Sequence, residues 1–205
     1  MSSPAAGTWL VVGLGNPGPT YADHRHNVGY RVVETLAREA GASFNHSLRL
    51  SADICRTRVT TAGTLGGVGA DATPLALMKS RTFMNDSGRA VAKVVKYFDV
   101  AADHLIVIHD EIDLPPGKLR VKFGGGDNGH NGLKSIRRSL GTGDFYRVRV
   151  GVGRPAGSRD PVNYVLSAVP AAERENYELD IARAADATVA LVTLGLEATQ
   201  TRFNS

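Results

Sequence analysis

The chain has 205 residues, 42% of them hydrophobic, which suits one well-mixed domain with a substantial core, and we expect that domain to span residues 1–205. A single cysteine cannot form an internal disulfide, which is typical of a reducing cytoplasm. The first residues have neither a basic start nor an apolar run, and no stretch approaches the roughly 20 apolar residues of a membrane helix. We therefore expect a cytoplasmic protein without a secretory signal or a membrane span, whose residues 1–7 form a flexible tail. No predicted exposed apolar stripe calls for a partner subunit, so we expect a monomer.

The formal net charge of +4 is unevenly distributed along the chain. Residues 113–154 contain nine basic residues and three acids, a net charge of +6, which leaves the remainder of the chain at −2. Basic and apolar residues alternate in segments 118–123 and 146–152, so each segment would present one basic and one apolar face. This basic region predicts a polyanionic partner, although Arg120 and Arg147 taken singly fit a solvated face equally well.

Strand and helix patterns alternate along the sequence. Short apolar or alternating runs predict strands at residues 9–12, 48–61, 74–79, 105–108, 118–123 and 146–152. Apolar residues at helical spacing predict helices at about residues 28–40, 91–98, 133–140 and 171–196. Residues 61–73 are rich in glycine and alanine and predict a turn or a hairpin tip. This order predicts the α/β class, with a twisted, mixed and largely parallel central sheet and helices on both faces.

Polar residues crowd together at the ends of three predicted strands. They occupy residues 16–26, 83–85 and 109–113, and strands of the same sense would bring all three clusters to one edge of the sheet. A glycine-rich loop at residues 124–132, which contains a histidine and an asparagine, would form a fourth wall. The sequence therefore predicts a polar site at this edge.

The chemistry of such a site is limited to histidine, carboxylate and amide groups. The chain lacks a G-x-S-x-G elbow, a CxxC pair and a G-x-x-x-x-G-K-[ST] loop, so a serine acyl-enzyme, a zinc ribbon and a P-loop NTPase are poorly supported. A histidine can take a proton from water, a buried carboxylate can fix its tautomer, and asparagine amides can stabilise an oxyanion. Such groups suit an ester better than an amide. With a basic surface they indicate an ester carried by a nucleic acid, the bond found in peptidyl-tRNA.

Four motifs resemble the bacterial peptidyl-tRNA hydrolase family. They are VVGLGNPGPTYADHRHNVG, KSRTFMNDSG, IVIHDEIDLPPGKLRVKFGGG and GHNGLKSI, and the match runs in this order from about Trp9 to Val169. The resemblance implies hydrolysis of the ester between the peptide and the 3′-terminal ribose of tRNA. It implies a water activated by histidine, with no covalent intermediate, no metal and no cofactor, in an enzyme that recycles tRNA.

The resemblance also implies roles for individual residues. His26 falls on the family's base and Asp110 on its supporting carboxylate, and Asn16 falls where the family distinguishes blocked from free aminoacyl groups. Positions that contact substrate, or that place the water and the oxyanion, fall on Tyr21, Phe83, Met84, Asn85 and Asn131. The pair thought to clamp the 5′-phosphate of tRNA falls on Lys122 and Arg149. Asp127 adds a negative charge to the glycine loop and is expected to weaken phosphate contact there.

Three other functions stay open at this point. Residues 13–18 satisfy the G-x-G-x-x-G pattern of dinucleotide-binding oxidoreductases, but Pro17 removes a backbone N–H, and no strand ending in an acid follows at about 20 residues. A metal-dependent hydrolase could draw its ligands from His24, His26, Asp110 and Asp113. A non-catalytic RNA-binding module would need only the basic strands.

Overall fold

A seven-stranded sheet forms the centre of the protein in the computed structural model, which describes residues 7–155, 157–158 and 160–204. The strands are β1 (Trp9–Gly13), β2 (Asn45–Ser47), β3 (Ala52–Val59), β4 (Thr73–Ser80), β5 (Leu105–Glu111), β6 (Leu119–Phe123) and β7 (Tyr146–Gly151). They lie in the order β2-β3-β4-β1-β5-β7-β6. The four neighbouring strands β4, β1, β5 and β7 pair in parallel. Strands β3 and β6 run in the opposite direction, and β2 runs in the same direction as the four. The predicted mixed, largely parallel sheet is confirmed.

Helices cover both faces of this sheet because its strands are apolar on both sides. The helices are α1 (Val28–Glu39), α2 (Ser87–Phe98), α3 (Asn131–Leu140), α4 (Pro161–Val165), α5 (Arg174–Leu194) and α6 (Leu196–Phe203). In β1, Val11 packs in the cluster that includes α1, α5 and α6, whereas Leu10 and Val12 pack in the cluster that includes α2 and α3. Successive side chains of one strand thus pack in two separate hydrophobic cores, one on each face of the sheet. The result is a single α/β domain with two helical layers.

The structure differs from the predicted elements in several places. The long C-terminal helix ends at Leu194, because Gly195 has a φ of +81° that favours glycine, and α6 begins at Leu196. The short elements β2 and α4 carry too few residues for a periodic signal and were missed. Residues 60–72 join the antiparallel strands β3 and β4, so the hairpin connection predicted at residues 61–73 is confirmed within one residue at each end.

Two predictions remain, the N-terminal tail and the lack of a membrane span. The tail predicted at residues 1–7 lies, apart from Gly7, outside the described residues. Among the residues that the structure describes, no helix has both the length and the apolar character needed to cross a membrane.

Candidate active site

A cavity of about 500 Å³ opens at the carboxyl ends of β1, β4 and β5. Its walls come from the four segments that the sequence placed at this edge, together with the missed helix α4. The predicted site residues that line it are Asn16, Tyr21, His26, Phe83, Met84, Asn85, Asp110 and Asn131. Further lining residues are Glu111, Ile112, Asn128, Gly129, His130, Pro161, Val162, Val165 and Leu166. The structure therefore brings together eight of the ten predicted site residues, leaving Lys122 and Arg149 outside the cavity.

The loop between β1 and α1 lies directly against the ends of the strands. A Cβ atom on Gly13 would lie 2.1 Å from the carbonyl oxygen of Gly29, and a Cβ atom on Gly29 would lie 2.3 Å from the nitrogen of Leu14. No side chain fits at either contact, so both positions require glycine. The Leu14 N–H also donates to the carbonyl of Ile108 at 2.9 Å, which ties the loop to β5. This close packing holds His26, three residues before Gly29, over the sheet edge.

His26 and Asp110 form a buried pair although 84 residues separate them in sequence. The Nδ1 of His26 lies 2.8 Å from Oδ1 of Asp110, and their side chains are 11% and 2% exposed. Since an ionised carboxylate only accepts hydrogen bonds, Nδ1 carries the hydrogen. The Nε2 of His26 has no hydrogen-bond partner among the described residues, which leaves its lone pair for the cavity.

The pKa values of this pair are set by two opposed effects. Burial disfavours the ionised carboxylate, but electrostatic attraction and hydrogen bonds from His26 and His130 outweigh it and hold the pKa of Asp110 well below its usual value. Burial likewise disfavours a charged imidazole, but the charge of Asp110 and its hydrogen bond raise the pKa of His26 above its ordinary value. Asp110 is therefore ionised near neutral pH, and it stabilises the imidazolium that forms when His26 takes a proton.

His130 is a second histidine on the same carboxylate. It is the N-cap of α3, and its Nδ1 accepts from the backbone N–H groups of Gly132 at 3.1 Å and Leu133 at 3.4 Å. An accepting Nδ1 cannot carry a hydrogen, so the hydrogen lies on Nε2, which donates to Oδ1 of Asp110 at 2.9 Å. The ring centroids of His26 and His130 lie 4.9 Å apart. The sequence placed His130 in a wall of the site but gave it no contact with Asp110.

His109 lies behind His130 and is 1% exposed. Its Nδ1 donates to the backbone carbonyl of Asp110 at 2.7 Å, and its Nε2 is buried without a partner among the described residues. Burial lowers the pKa of His109 well below its ordinary value, and the electrostatic interaction with His130 lowers it further. His109 is therefore a neutral side chain that packs edge-on against His130, with their centroids 5.0 Å apart.

The donor set at this cluster does not fit a metal ion. One ligand atom each from His26, Asp110 and His130 lie within 4.8 Å of one another, whereas His24 and Asp113, two of the four ligands that the sequence offered, are outside this group. A metal would need a lone pair on Nε2 of His130. That nitrogen carries the hydrogen as long as Nδ1 caps α3. The geometry therefore disfavours the metal-dependent alternative on the chemistry of its own ligands.

The glycine pattern at residues 13–18 does not form a dinucleotide site. In such sites the glycines stand at the start of a helix, where free N–H groups point at the pyrophosphate. Here α1 begins only at Val28, after a loop that carries His26. The oxidoreductase alternative is accordingly disfavoured.

Asn16 is oriented by contacts on its backbone and on its side chain. Its backbone N–H and carbonyl pair with the side chain of Asn27, at 3.0 and 2.9 Å, and its Oδ1 accepts from the N–H of Met84 at 2.8 Å. With Oδ1 engaged in this way, the Nδ2 amide of Asn16 is left as a donor toward the cavity. Asn27, which positions the backbone of Asn16, was missed by the sequence analysis. It is 2% exposed and immediately follows His26.

The remaining walls combine amide donors with an apolar mouth. Asn85 lies in a short 3-10 turn, Met84–Asp86, and Asn131 is the first residue of α3, so both amides stand exposed at turns beside the cavity. Tyr21 and Phe83 pack edge to face with centroids 6.1 Å apart, and Phe83 is 56% exposed. An exposed aromatic ring at the rim of a polar cavity offers a contact surface for a ligand.

Lys122 and Arg149 lie beyond the cavity on one face of β6 and β7. Lys122 lies directly opposite Arg147 in the pairing of β6 with β7, and burial and then the positive charges of Arg149 and Arg147 lower the pKa of Lys122. Arg149 donates to Oε2 of Glu111 through Nε at 3.1 Å and Nη2 at 2.8 Å. Its side chain is 20% exposed.

The open basic face expected on β7 is wrong for Arg147, and Arg120 on β6 is also engaged. Arg147 is 1% exposed and donates to the backbone carbonyls of Gly125, Gly126 and Gly143, so it braces the glycine loop. Arg120 donates to the backbone carbonyl of Asn204. Backbone carbonyls that are shielded from water need hydrogen-bond donors, so both arginines stabilise the folded backbone.

Asp127 is also engaged within the protein. Its carboxylate accepts from Arg137 at 2.8 Å and from the N–H of Gly129 at 3.1 Å. The arginine balances the negative charge that was expected to weaken phosphate contact at the glycine loop.

Comparison with known proteins identifies the family. A family model described as peptidyl-tRNA hydrolase matches residues 10–205. The peptidyl-tRNA hydrolase of Cutibacterium acnes is 55% identical over 97% of this chain and 98% of its own length, and that of Mycolicibacterium smegmatis is 46% identical over 93% and 94%. A crystal structure of the enzyme from Acinetobacter baumannii, 32% identical, superposes with a TM-score of 0.82 over 100% of this chain and 98% of that one. The chain therefore belongs to the peptidyl-tRNA hydrolase family.

Proposed function

We propose that this protein hydrolyses the ester bond between the peptide and the 3′-terminal ribose of peptidyl-tRNA, and so frees tRNA from prematurely released peptides. Membership of the family supports the reaction. The observation that carries the mechanism is the hydrogen bond between His26 and Asp110 at the floor of the cavity. In this proposal residues 1–205 act as one domain and as a cytoplasmic monomer.

The proposed first step is proton transfer from a water molecule to His26. With Nδ1 donating to Asp110, the lone pair on Nε2 takes the proton while the water oxygen attacks the ester carbonyl. The tetrahedral intermediate then expels the ribose oxygen, which takes the proton back from Nε2. The products are a free ribose hydroxyl on tRNA and a peptide carboxylic acid, which releases its proton to solvent at neutral pH. Asp110 stays ionised throughout, because its pKa is held well below its usual value.

Three asparagines supply the amide groups around this reaction. Asn16 has its Oδ1 engaged by Met84, so its Nδ2 donor is oriented for a carbonyl of the peptide. Asn85 and Asn131 both line the cavity and would place the water and stabilise the oxyanion. Tyr21, Phe83 and Met84 would pack against the ends of the substrate. The mechanism draws on side chains and water, with no cofactor.

Lys122 and Arg149 would bind the 5′-phosphate of tRNA. Both lie on one sheet face beside the cavity, where Arg147 is also cationic, and burial followed by the positive charge of Arg149 lowers the pKa of Lys122. A phosphate between two such cations would fix the acceptor end of tRNA relative to His26.

The test is release of tRNA from an N-acetylated aminoacyl-tRNA by the purified protein, with and without a chelator. We expect release that survives chelation, and we expect His26→Ala to abolish release while tRNA binding persists. His46→Ala, at an exposed histidine on β2, is the matched control and should retain activity. No release by the parent protein would support the RNA-binding module instead, and loss on chelation with rescue by a metal would support a metal enzyme.

A further inference from the structure

Glu111 connects Arg149 to the wall of the cavity. This carboxylate is the last residue of β5 and is 4% exposed. Its Oε2 accepts two hydrogen bonds from Arg149, at 2.8 and 3.1 Å. Its Oε1 accepts from Nδ2 of Asn128 at 2.9 Å and from the N–H of Asp113 at 3.2 Å. Oε2 thus binds Arg149 on the basic face, and Oε1 binds Asn128 in the glycine loop.

Asn128 adopts a backbone conformation that is uncommon for residues other than glycine and asparagine. Its φ is +51°, in the left-handed region. Its Nδ2 also donates to Oδ2 of Asp113 at 2.8 Å, so two carboxylates fix the side chain. Asn128 stands two residues before His130 and three before Asn131. A shift of the Asn128 side chain would therefore move His130, which donates to Asp110, and Asn131, whose amide lines the cavity.

The charges on the two sides of Glu111 differ. Arg149 holds Glu111 toward the basic face by an ion pair at 2.8 Å, and Lys122, on the same face, adds a further positive charge there. Asn128 attracts Glu111 only as a neutral donor. A phosphate bound by the two cations would take up much of their charge. The carboxylate would then interact more strongly with Asn128 and hold the glycine loop more tightly.

We propose that Glu111 and Asn128 are positioning residues that couple occupancy of the phosphate site to the placement of His130 and Asn131. This inference rests on the proposed phosphate contact at Arg149. It means that a 5′-phosphate on the substrate raises kcat as well as lowering KM, because phosphate binding orders the loop in which the catalytic amide lies.

The test compares N-acetylated aminoacyl-tRNA carrying a 5′-phosphate with the same substrate carrying a 5′-hydroxyl. For the parent protein we expect the phosphate to raise kcat by about 5-fold. Asn128→Gly removes the amide while accommodating the positive φ, and it should lose the effect on kcat but keep the effect on KM. The control is Gly126→Ala in the same loop, where a Cβ meets nothing within 4 Å, and it should behave like the parent.

Arg149→Ala separates this inference from the function on which it rests, since it should lose both effects. If Arg149→Ala keeps both, the phosphate contact itself is wrong. If Arg149→Ala loses the phosphate effects on kcat and KM but Asn128→Gly keeps the parental effect on kcat, the coupling is wrong and the phosphate contact stands. The same conclusion follows if the phosphate changes only KM in the parent protein. Thermal unfolding of each variant checks that it is folded.

Discussion

The Nδ1 of His26 and the Nε2 of His130 donate to the same oxygen, Oδ1 of Asp110, at 2.8 and 2.9 Å. The two donors differ in what fixes them. His130 is locked by its cap on α3, whereas His26 is held by the carboxylate and keeps Nε2 directed at the cavity. Asp110 thus joins a rigid histidine to the proposed base, and the orientation of that base depends on both contacts.

Asp110→Asn should change the pH dependence of the reaction. The base acts when His26 is neutral, so kcat rises with pH through the pKa of His26, which Asp110 raises above 6.5. An asparagine removes that charge and leaves the burial, so the pKa falls and the rising limb moves to lower pH. We also expect kcat to fall by about 10²–10⁴-fold, because an amide can favour the wrong tautomer. The measurement is a kcat profile from about pH 5 to 9, and an unmoved limb would contradict the assignment.

Two substitutions of His130 should separate its cap from its bond to Asp110. His130→Ala loses both, so we expect the free energy of unfolding to fall by about 0.5–2 kcal/mol and kcat to fall as well. His130→Asn keeps an N-cap oxygen but is too short to reach Asp110 from the same backbone position. It should recover stability without recovering kcat. Denaturant unfolding and single-turnover kinetics make the comparison, and parental kcat in His130→Asn would mean that His130 only caps the helix.

The pairing of His26 with Asp110 was expected from the family resemblance. The strand pattern by itself predicted only that the polar clusters containing these two residues meet at one edge of the sheet. The role of His130 could not be predicted, since it depends on α3 starting at Asn131, and the apolar spacing in that helix does not define its first residue. Arg147 was misplaced for a related reason. Alternation assigns it to the right face of β7, but the glycine loop folds over that face and uses its guanidinium.

Arg147→Ala should therefore lower stability more than a typical basic-to-alanine change. It leaves the carbonyls of Gly125, Gly126 and Gly143 without this donor, and we expect the free energy of unfolding to fall by about 2–4 kcal/mol. Denaturant unfolding measures the loss. Arg138→Ala, at an exposed arginine on α3, is the control and should change stability by less than about 0.5 kcal/mol. Equal effects in the two variants would show that Arg147 is not a brace.

Lys122→Ala and Arg149→Ala should weaken tRNA binding to a similar degree for every tRNA, because a phosphate carries no sequence information. Each phosphate contact releases about one counterion, so the slope of log affinity against log salt should become shallower by up to about one in each variant. The measurement is a binding titration with several tRNAs at four salt concentrations from about 50 to 200 mM. Arg58→Ala, at an exposed arginine on β3 across the sheet, is the matched control and should leave the slope unchanged. A parental slope in both Lys122→Ala and Arg149→Ala would place the phosphate contact elsewhere on the protein, and a loss confined to some tRNAs would indicate a base contact at these side chains.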